Sequence, residues 1–353
     1  MFRLSVKCSA LKTCNEPTHM SKIALFALGN ALIDQEFQVS DDFLATQNLQ
    51  KGTMQLTDGD TQAALYQNLQ ASQVYKGQAS GGSAANTTVA FSALGGRAFY
   101  GCRVGNDELG QLYLDGLNDA GIFTAQQSIS EGVTGTCMVL ITPDTERTMH
   151  TYLGITAELS VNQIDYSALQ NAEWLYIEGY LSTSDTARQA VAQARKIAKE
   201  NGVKIALSLS DPAMVQYARA GLTELLADGV DLLFCNEQEA LMFTETPDID
   251  AALAVLLKNN QNVVITLGAK GALVASQNEK IQVEGRPVKA VDTNGAGDAF
   301  AGAFLYAIHQ GSSLEQAAEL AVLISSEVVA QFGPRLAIEK YARLQQNIEM
   351  DLA

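Results

Sequence analysis

The stretch 291–298 combines residue types that suit chemistry on a phosphate group. It reads Val-Asp-Thr-Asn-Gly-Ala-Gly-Asp, follows a predicted strand at 280–291 and precedes a predicted helix at 299–309. The Gly295-Ala296-Gly297 turn leaves backbone N–H groups unpaired at the positive end of a helix dipole, which favours an anion. Asp298 lies beside this turn, and its carboxylate can accept the proton of a hydroxyl group. An anion site next to a carboxylate is typical of phosphoryl transfer to an alcohol.

Glycine-rich turns also precede helices that bind nothing, and in isolation that structural interpretation is favoured. The string Thr-Asn-Gly-Ala-Gly-Asp-Ala-Phe, however, resembles the second signature of the ribokinase-like (PfkB) kinases. The resemblance implies that Asp298 is the catalytic base and that the amides of the Gly-Ala-Gly turn form the anion hole for the γ-phosphate of ATP. It further implies that Asn294, Gly295 and Gly297 contact ATP. Asp292 becomes a candidate ligand for a monovalent cation such as K⁺.

A second carboxylate lies near the start of the chain. Residues 22–33 form a dense apolar run that predicts a buried parallel strand, and Asp34 follows it, where open α/β sheets place ligand contacts. An aspartate that caps a helix or turn is the alternative. The run Gly-Asn-Ala-Leu-Ile-Asp at 29–34 resembles the opening motif of adenosine kinases, which implies that Asp34 binds two sugar hydroxyls. Asn30 and Leu32 are then expected to contact the substrate, Leu32 by packing against a base.

Residues 79–86, Ala-Ser-Gly-Gly-Ser-Ala-Ala-Asn, lead into a predicted helix at 87–94. Paired glycines let a backbone approach a ligand, and Ser83 is expected to cap the helix. A simple glycine-rich turn is the alternative. The Gly-Gly-x-x-x-Asn spacing resembles the start of the first PfkB signature. This implies that Gly81, Gly82, Ser83 and Asn86 bind the sugar.

Several short segments suggest a small sheet beside the main body. They are strands predicted at 37–39, 53–57 and 74–78, and a helix at 60–70. Segments 136–142 and Arg147–Tyr152 flank Pro-Asp-Thr-Glu, which is a hairpin signal. In the family this hairpin belongs to a lid, so Arg147 is expected near the active site as a catalytic residue that steadies phosphate charge. A solvated hairpin arginine is the alternative.

The second half of the chain alternates strands and helices, which implies a parallel sheet sandwiched between helices. The predicted strands are 174–177, 204–209, 231–234 and 263–267, and the helices are Asp185–Asn201, 214–227, 251–258 and Leu314–Val329. The resemblance implies a three-layer α/β/α domain with a mostly parallel central sheet and a small β-sheet lid. We predict a kinase core at 21–34, 58–122 and 157–345, a discontinuous lid at 35–57 and 123–156, and a disordered extension at 1–20.

Two later motifs are expected at the nucleotide. Asn236 and Glu239 match the Asn-x-x-Glu motif of the family, in which Asn236 would contact ATP and Glu239 would help hold Mg²⁺ through water. A helix N-cap is the alternative for Asn236. Thr266, Gly268 and Gly271 match a Thr-x-Gly-x-x-Gly segment that contacts ATP in the family. The sequence has neither a P-loop nor an early Gly-x-Gly-x-x-Gly, which argues against a Walker-type NTPase and a Rossmann dehydrogenase.

The composition of the chain limits the classes of partner that it is expected to bind. The 353-residue chain has a formal net charge of −16 and no cluster of Lys or Arg, so nucleic acid and anionic membranes are not expected to bind. No run reaches the roughly 18–20 apolar residues of a membrane span. The five cysteines are irregularly spaced, which favours neither disulfides nor zinc and predicts a cytoplasmic location. The first 19 residues lack the apolar core of a signal peptide. Both a monomer and a homodimer are compatible with the sequence.

Two classes of molecule are candidates for the acceptor of the phosphoryl group. The opening motif and the Asp-Thr-Asn-Gly-Ala-Gly-Asp spelling are closer to adenosine kinases than to ribokinases, so we expect transfer from ATP-Mg²⁺ to a nucleoside, first the 5′-hydroxyl of adenosine. Tyr180 aligns with a segment where adenosine kinases place an aromatic ring on the base. A free sugar such as ribose or fructose is the alternative. A non-catalytic binding regulator is disfavoured because Asp298, Gly295 and Gly297 are intact.

Overall fold

The computed structural model describes residues 22–72, 74–144 and 146–351. The predicted extension at 1–20 therefore lies outside the described residues. The strands are β1 (Ile23–Leu28), β2 (Leu32–Gln38), β3 (Met54–Leu56), β4 (Val74–Gly81), β5 (Ala98–Gly101), β6 (Val104–Gly105), β7 (Phe123–Thr124), β8 (Ile129–Ser130), β9 (Gly135–Ile141), β10 (Arg147–Tyr152), β11 (Ala172–Glu178), β12 (Lys204–Ser208), β13 (Leu232–Asn236), β14 (Asn262–Thr266), β15 (Ala272–Ser276) and β16 (Lys280–Val283). The α-helices are α1 (Asp41–Thr46), α2 (Gly59–Ser72), α3 (Ser83–Ala93), α4 (Glu108–Asp119), α5 (Tyr166–Gln170), α6 (Asp185–Asn201), α7 (Pro212–Tyr217), α8 (Arg219–Leu226), α9 (Glu237–Thr244), α10 (Ile249–Leu256), α11 (Ala296–His309), α12 (Leu314–Val329) and α13 (Ile338–Asp351).

A nine-stranded sheet with the order β16-β15-β14-β13-β12-β11-β1-β5-β7 forms the centre of the molecule. Its strands are parallel except that β15 runs antiparallel to both β14 and β16 at one edge. The central strands, such as β1, are apolar because both faces of the sheet are covered, whereas the edge strand β16 is partly exposed. In β1, Leu25 and Ala27 pack on one face and Phe26 and Leu28 on the other. The predicted α/β/α layering with a mostly parallel sheet is confirmed.

Helices α3, α11 and α12 contribute to the apolar core on one face of this sheet, and α6, α8 and α10 to the core on the other. Helices α11 and α3 approach each other closely at Gly302, where a Cβ atom would lie 2.3 Å from the carbonyl oxygen of Thr87. This packing fixes the N-termini of both helices relative to the sheet. Loops after parallel strands all emerge at the carboxyl edge, so the sheet collects residues there.

A second, five-stranded sheet has the order β3-β10-β9-β2-β4. One face packs against α1 and α2 through Phe37, Leu44, Leu65, Leu69 and Met138. The opposite face helps to line a cleft shared with the carboxyl edge of the large sheet. Strands β9 and β10 form the predicted antiparallel hairpin. The small sheet expected from the sequence is therefore present.

The predicted strand at 22–33 is wrong. Strand β1 ends at Leu28, and β2 begins at Leu32 in the second sheet. Gly29 lies between them, and a Cβ atom there would lie 2.6 Å from both the Tyr100 hydroxyl and the Ala84 methyl group. Because glycine has no side chain, the backbone can pass between these groups and continue from the large sheet into the second sheet. Asp34 consequently lies within β2 rather than beyond a buried strand.

Other predicted boundaries also differ. The strand predicted at 280–291 pairs only over Lys280–Val283, and Pro287 beyond it has no N–H to extend the ladder. The helix predicted at 214–227 is broken at Ala218, whose φ of −124° and ψ of 24° are not helical. Gly82, not Ser83, is the N-cap of α3. Strand β4 pairs with β2 in the second sheet, although it falls within 58–122, the range predicted as core.

Candidate active site

A cleft of about 510 Å³ lies between the carboxyl edge of the large sheet and the second sheet. It brings together segments from both ends of the chain. The sequence-predicted residues that line it are Asn30, Leu32, Asp34, Gly82, Ser83, Asn86, Arg147, Tyr180, Asn236, Glu239, Thr266, Asn294, Gly295, Gly297 and Asp298. The predicted residues outside its lining are Gly81, Gly268, Gly271, Asp292 and Ala296.

The turn that opens α11 has the geometry of an anion site. Its N-cap is Gly295, with a φ of +72°, and a Cβ atom there would lie 2.5 Å from the backbone oxygen of Pro334. Only glycine suits that position, and it has no side chain to occupy the first amides of the helix. A Cβ atom on Gly297 would meet nothing within 4 Å. The amide of Ala296 instead donates to the Thr293 carbonyl oxygen at 3.3 Å.

Asp298 lies in the first turn of α11 and is held by α3. The Ser83 hydroxyl donates to its Oδ1 at 2.6 Å, and the Asn86 side-chain amide donates to its Oδ2 at 2.9 Å. The carboxyl group is half-buried, and loss of water raises its pKa to about 6, although both donors oppose the rise. A carboxylate with this pKa is ionised at neutral pH and is basic enough to accept a proton.

Asp34 and Leu32 face the cleft from β2, because side chains alternate along a strand. A Cβ atom on Gly81 would lie 2.3 Å from the Asp34 carboxyl group. Gly81 therefore leaves room for Asp34, even though it does not itself line the cleft. Burial raises the pKa of Asp34 to about 7, and Arg335 is the largest opposing charge. The structure thus brings Gly81 and Asp34 together, which were each predicted to bind the substrate.

Arg147 extends from β10 toward the loop that precedes α11. Its guanidinium forms an ion pair with Asp292 and lies 3.7 Å from Glu36. The Asp292 carboxylate also accepts from the backbone N–H groups of Asn294 and Gly333, at 2.9 and 2.8 Å. Asp292 therefore joins the lid arginine to the anion turn in this structure. Its role as a ligand for a monovalent cation stays a prediction.

Asn236 and Glu239 form a reciprocal capping box at the start of α9. The Asn236 side-chain oxygen accepts from the Glu239 N–H at 2.8 Å, and Glu239 accepts from the Asn236 backbone N–H at 3.0 Å. The alternative interpretation of Asn236 as a helix N-cap is confirmed, and its contact with ATP stays a prediction. Burial raises the pKa of Glu239 to about 7, so a nearby cation would favour its charged form.

The described ranges contain no group of three or more His, Cys, Asp or Glu side chains that could hold a metal directly. Mg²⁺ commonly keeps several waters and binds through substrate phosphates and one or two carboxylates. Glu239 is a buried carboxylate in the same cleft and fits that arrangement, in which few protein ligands are needed. The residues present are therefore compatible with a hydrated Mg²⁺ carried by a nucleotide.

The predicted nucleotide segment after β14 is only partly in the cleft. Thr266 lines it, whereas Gly268 and Gly271 do not. Gly271 has a φ of +97°, and a Cβ atom there would lie 2.0 Å from the carbonyl oxygen of Val283. The neighbouring backbone therefore requires a glycine at position 271, independently of any ligand. Its ATP contact stays a prediction.

Glu178 and Arg335 have contacts that the sequence did not reveal. Glu178 is buried at the end of β11, where it accepts from the Asn30 backbone N–H at 2.7 Å and the Ala84 N–H at 2.8 Å. It thereby joins the opening motif to the start of α3. Arg335 donates to Asn86 at 2.7 Å from a loop near the end of the chain. No local pattern marks either residue, because their partners are 94 to 255 positions away.

The chain matches the model of the family described as pfkB family carbohydrate kinase over residues 55–340. The chain belongs to this family. This pfkB-family kinase is therefore a phosphotransferase. Within the described ranges we find no helix that combines the length and apolar character needed to span a bilayer.

Both nucleoside and sugar kinases are among the relatives of this pfkB-family kinase. It is 34% identical to the adenosine kinase of Sinorhizobium meliloti, whose crystal structure gives a TM-score of 0.86 and covers 93% of this chain and 100% of that one. It is 28% identical over 336 residues to the adenosine kinase of Saccharomyces cerevisiae, covering 90% of this chain and 97% of the relative. It is 30% identical over 266 residues to the ribokinase of Haemophilus influenzae, covering 73% of this chain and 83% of the relative. The fold is ribokinase-like.

Proposed function

We propose that this kinase transfers the γ-phosphate of ATP to the 5′-hydroxyl of a nucleoside, with adenosine as the first candidate. The observation that carries the reaction type is the position of Asp298 beside an uncapped, open helix N-terminus. One group can accept a proton there while neighbouring amides stabilise phosphate charge. Kinases of this family use ATP with Mg²⁺, and K⁺ is an additional candidate near Asp292.

In the proposed reaction, Asp34 binds the sugar hydroxyls and directs the 5′-hydroxyl toward Asp298. The proton of that hydroxyl passes to the Asp298 carboxylate as its oxygen bonds to the γ-phosphorus. The bond between this phosphorus and the bridging oxygen breaks, and ADP leaves with the electron pair. The amides of Gly295 and Gly297 stabilise the charge on the transferring group, and Arg147 contributes from the lid. Mg²⁺, positioned with the help of Glu239, would neutralise phosphate charge.

The cleft-facing surface of the second sheet favours a nucleoside over a free sugar. Strand register places Asp34, Cys137, Thr151 and Leu56 in one row across β2, β9, β10 and β3. Leu32, Met54, Met149 and Leu153 also line the cleft near this row. An apolar surface beside a carboxylate suits a base attached to a ribose, since a free sugar offers hydroxyls around most of its ring. Tyr180 lines the same cleft and is the proposed aromatic contact to the base.

The 30% identity to a ribokinase keeps a free sugar as the second candidate. The test is phosphate transfer from ATP to adenosine, inosine, ribose and fructose, run in parallel and followed by mass spectrometry of the products. We expect AMP from adenosine, at a kcat/KM well above that for ribose and fructose. A higher kcat/KM for ribose would reject the nucleoside assignment, and transfer to none of the four would reject both.

We also propose that the segments 35–57 and 123–156 act as a lid that closes over the acceptor. The support is the position of β2, β3, β9 and β10 opposite the carboxyl edge of the large sheet, with Arg147 already reaching across to Asp292. Strand β7, at the start of the segment 123–156, pairs instead with β5 in the large sheet. Closure would exclude water from the transferring phosphate. A cytoplasmic location, and a monomeric or homodimeric state, remain predictions from the sequence.

A further inference from the structure

Arg335 joins three separate parts of the molecule. It lies in the loop between α12 and α13, and its Nε donates to the Asn86 side-chain oxygen in α3 at 2.7 Å. Its Nη1 donates to the Ser80 hydroxyl in β4 at 2.9 Å. Its Nη2 is buried and has no hydrogen-bond partner among the described residues. A buried guanidinium with an unpaired N–H is costly, so stability alone does not account for its position.

The contact to Asn86 decides which end of that amide faces the catalytic carboxylate. A guanidinium has only donors, so the atom of Asn86 that faces Arg335 must be the amide oxygen. The amide nitrogen then faces Asp298 and donates to its Oδ2 at 2.9 Å. A reversed amide would direct its oxygen at the carboxylate and its N–H groups at the guanidinium, which is unfavourable on both sides. Arg335 therefore fixes Asn86 as a donor to Asp298.

Arg335 also supplies positive charge to an acidic site. Burial raises the pKa of Asp298 to about 6 and that of Asp34 to about 7, and the charge of Arg335 opposes both rises. The titratable and charged groups that act electrostatically with Asp298 are Asp34, Glu178, Glu239, Arg335, Tyr176, Tyr180 and Tyr341. Asp34 also interacts with Glu36 and Arg147, but Arg335 is the cation that acts on both Asp34 and Asp298. Without it, the surrounding carboxyl groups would repel one another's charges.

We propose that Arg335 is a positioning residue of the phosphoryl-transfer site: it orients the carboxylate of Asp298 through Asn86 and balances the charges of Asp298 and Asp34. This inference rests on the proposed function, because it assigns Arg335 to the same reaction. Arg335 does not line the cleft, so it acts through these neighbours rather than on the substrate. The planar guanidinium can bond Asn86 and Ser80 together, which a lysine ammonium cannot reproduce.

The test compares Arg335→Gln, which removes the charge, with Arg335→Lys, which keeps the charge but loses the two-armed contact. Arg343→Gln is the matched control, because Arg343 is an exposed arginine of α13. For each variant, kcat, KM, ATP affinity, melting temperature and the pH dependence of kcat/KM are measured. We expect Arg335→Gln to lower kcat roughly 10- to 100-fold. We also expect it to shift the acid limb, the low-pH side of the pH profile of kcat/KM, upward by about one pH unit. Arg335→Lys should lower kcat but leave the acid limb near its original pH.

The control should match the unsubstituted kinase in every measurement. An unchanged acid limb in Arg335→Gln, with only the melting temperature lowered, would reduce Arg335 to a structural residue and reject the proposal. If Arg335→Gln does not fold, Arg335→Lys with full kcat would reject it as well. Asp298→Asn, assayed alongside, separates the two hypotheses. Loss of turnover in Asp298→Asn with normal Arg335 variants removes only this inference, whereas normal turnover in Asp298→Asn removes the base on which it rests.

Discussion

Replacing Asp298 by Asn probes the proposed base with little change of shape. The Ser83 hydroxyl and the Asn86 amide both donate to the carboxylate, at 2.6 and 2.9 Å. In the variant, the new side-chain oxygen can still accept from Asn86, and the new NH₂ group can donate to the Ser83 hydroxyl, which rotates to accept it. The local hydrogen bonds therefore survive, and the melting temperature should change little. What is lost is the ability to take a proton from the acceptor hydroxyl.

Loss of a general base typically lowers the rate roughly 10²- to 10⁴-fold. At about 1.4 kcal/mol per factor of ten, this raises the barrier by roughly 3–5 kcal/mol. The assay follows ADP release with adenosine as acceptor, and isothermal titration measures ATP binding separately. Asp119→Asn is the control, because Asp119 is an exposed aspartate at the end of α4. Turnover in Asp298→Asn above about a tenth of the original, with ATP binding retained, would refute the base assignment.

The pH dependence gives a second measurement on the same group. Since burial raises the pKa of Asp298 to about 6 and that of Asp34 to about 7, the ionised forms are lost as the pH falls through this range. We therefore expect kcat/KM to be full at pH 8 and to fall between about pH 7 and 6, with apparent pKa values that belong to the coupled carboxyl groups. An activity that stays constant down to pH 5 would contradict this reasoning.

Three further predictions concern the glycines and the metal. Gly297→Ala should leave the melting temperature unchanged or slightly raised, because its Cβ meets nothing within 4 Å, but it should lower kcat/KM for ATP roughly 10- to 100-fold. Gly302→Ala in the same helix places a Cβ 2.3 Å from a backbone oxygen, so it should instead lower the free energy of unfolding by roughly 1–3 kcal/mol. The reverse pattern would refute the open anion site. Gly81→Ala should raise the KM for the nucleoside but not for ATP, since its Cβ would displace Asp34, and equal changes in both KM values would contradict this. Glu239→Gln should raise the Mg²⁺ concentration that gives half-maximal activity, and an unchanged Mg²⁺ dependence would exclude Glu239 from the metal site.

Features that depend on neighbouring residues were predictable from the sequence. Helices Asp185–Asn201 and Leu314–Val329 match their predicted bounds, because Ser184 and Ser313 cap them and an amphipathic pattern fills them. The anion turn is equally local, since the glycines, the helix and Asp298 lie within a few residues of one another. The apolar runs of the parallel strands also predicted the layered fold, because strands covered on both faces carry no polar side.

Features that depend on distant residues were not predictable. The break at Gly29 follows from its contacts with Tyr100 and Ala84, which come from β5 and α3. Glu178 lies at the end of β11, and it accepts hydrogen bonds from residues 94 and 148 positions away. Arg335 lies in the loop after α12, and its partners lie 249 and 255 positions earlier. A single sequence contains no local signal for such contacts, because folding alone brings them together.

The central claim is that a nucleoside hydroxyl is phosphorylated between Asp298 and the amides that open α11. The most direct measurement is a crystal structure with adenosine, ADP, Mg²⁺ and aluminium fluoride, which mimics the transferring phosphoryl group. We predict the fluoride within hydrogen-bond distance of the Gly297 N–H and the adenosine 5′-oxygen within hydrogen-bond distance of the Asp298 carboxylate. A mimic bound away from this turn, or a 5′-oxygen that points away from Asp298, would contradict the account.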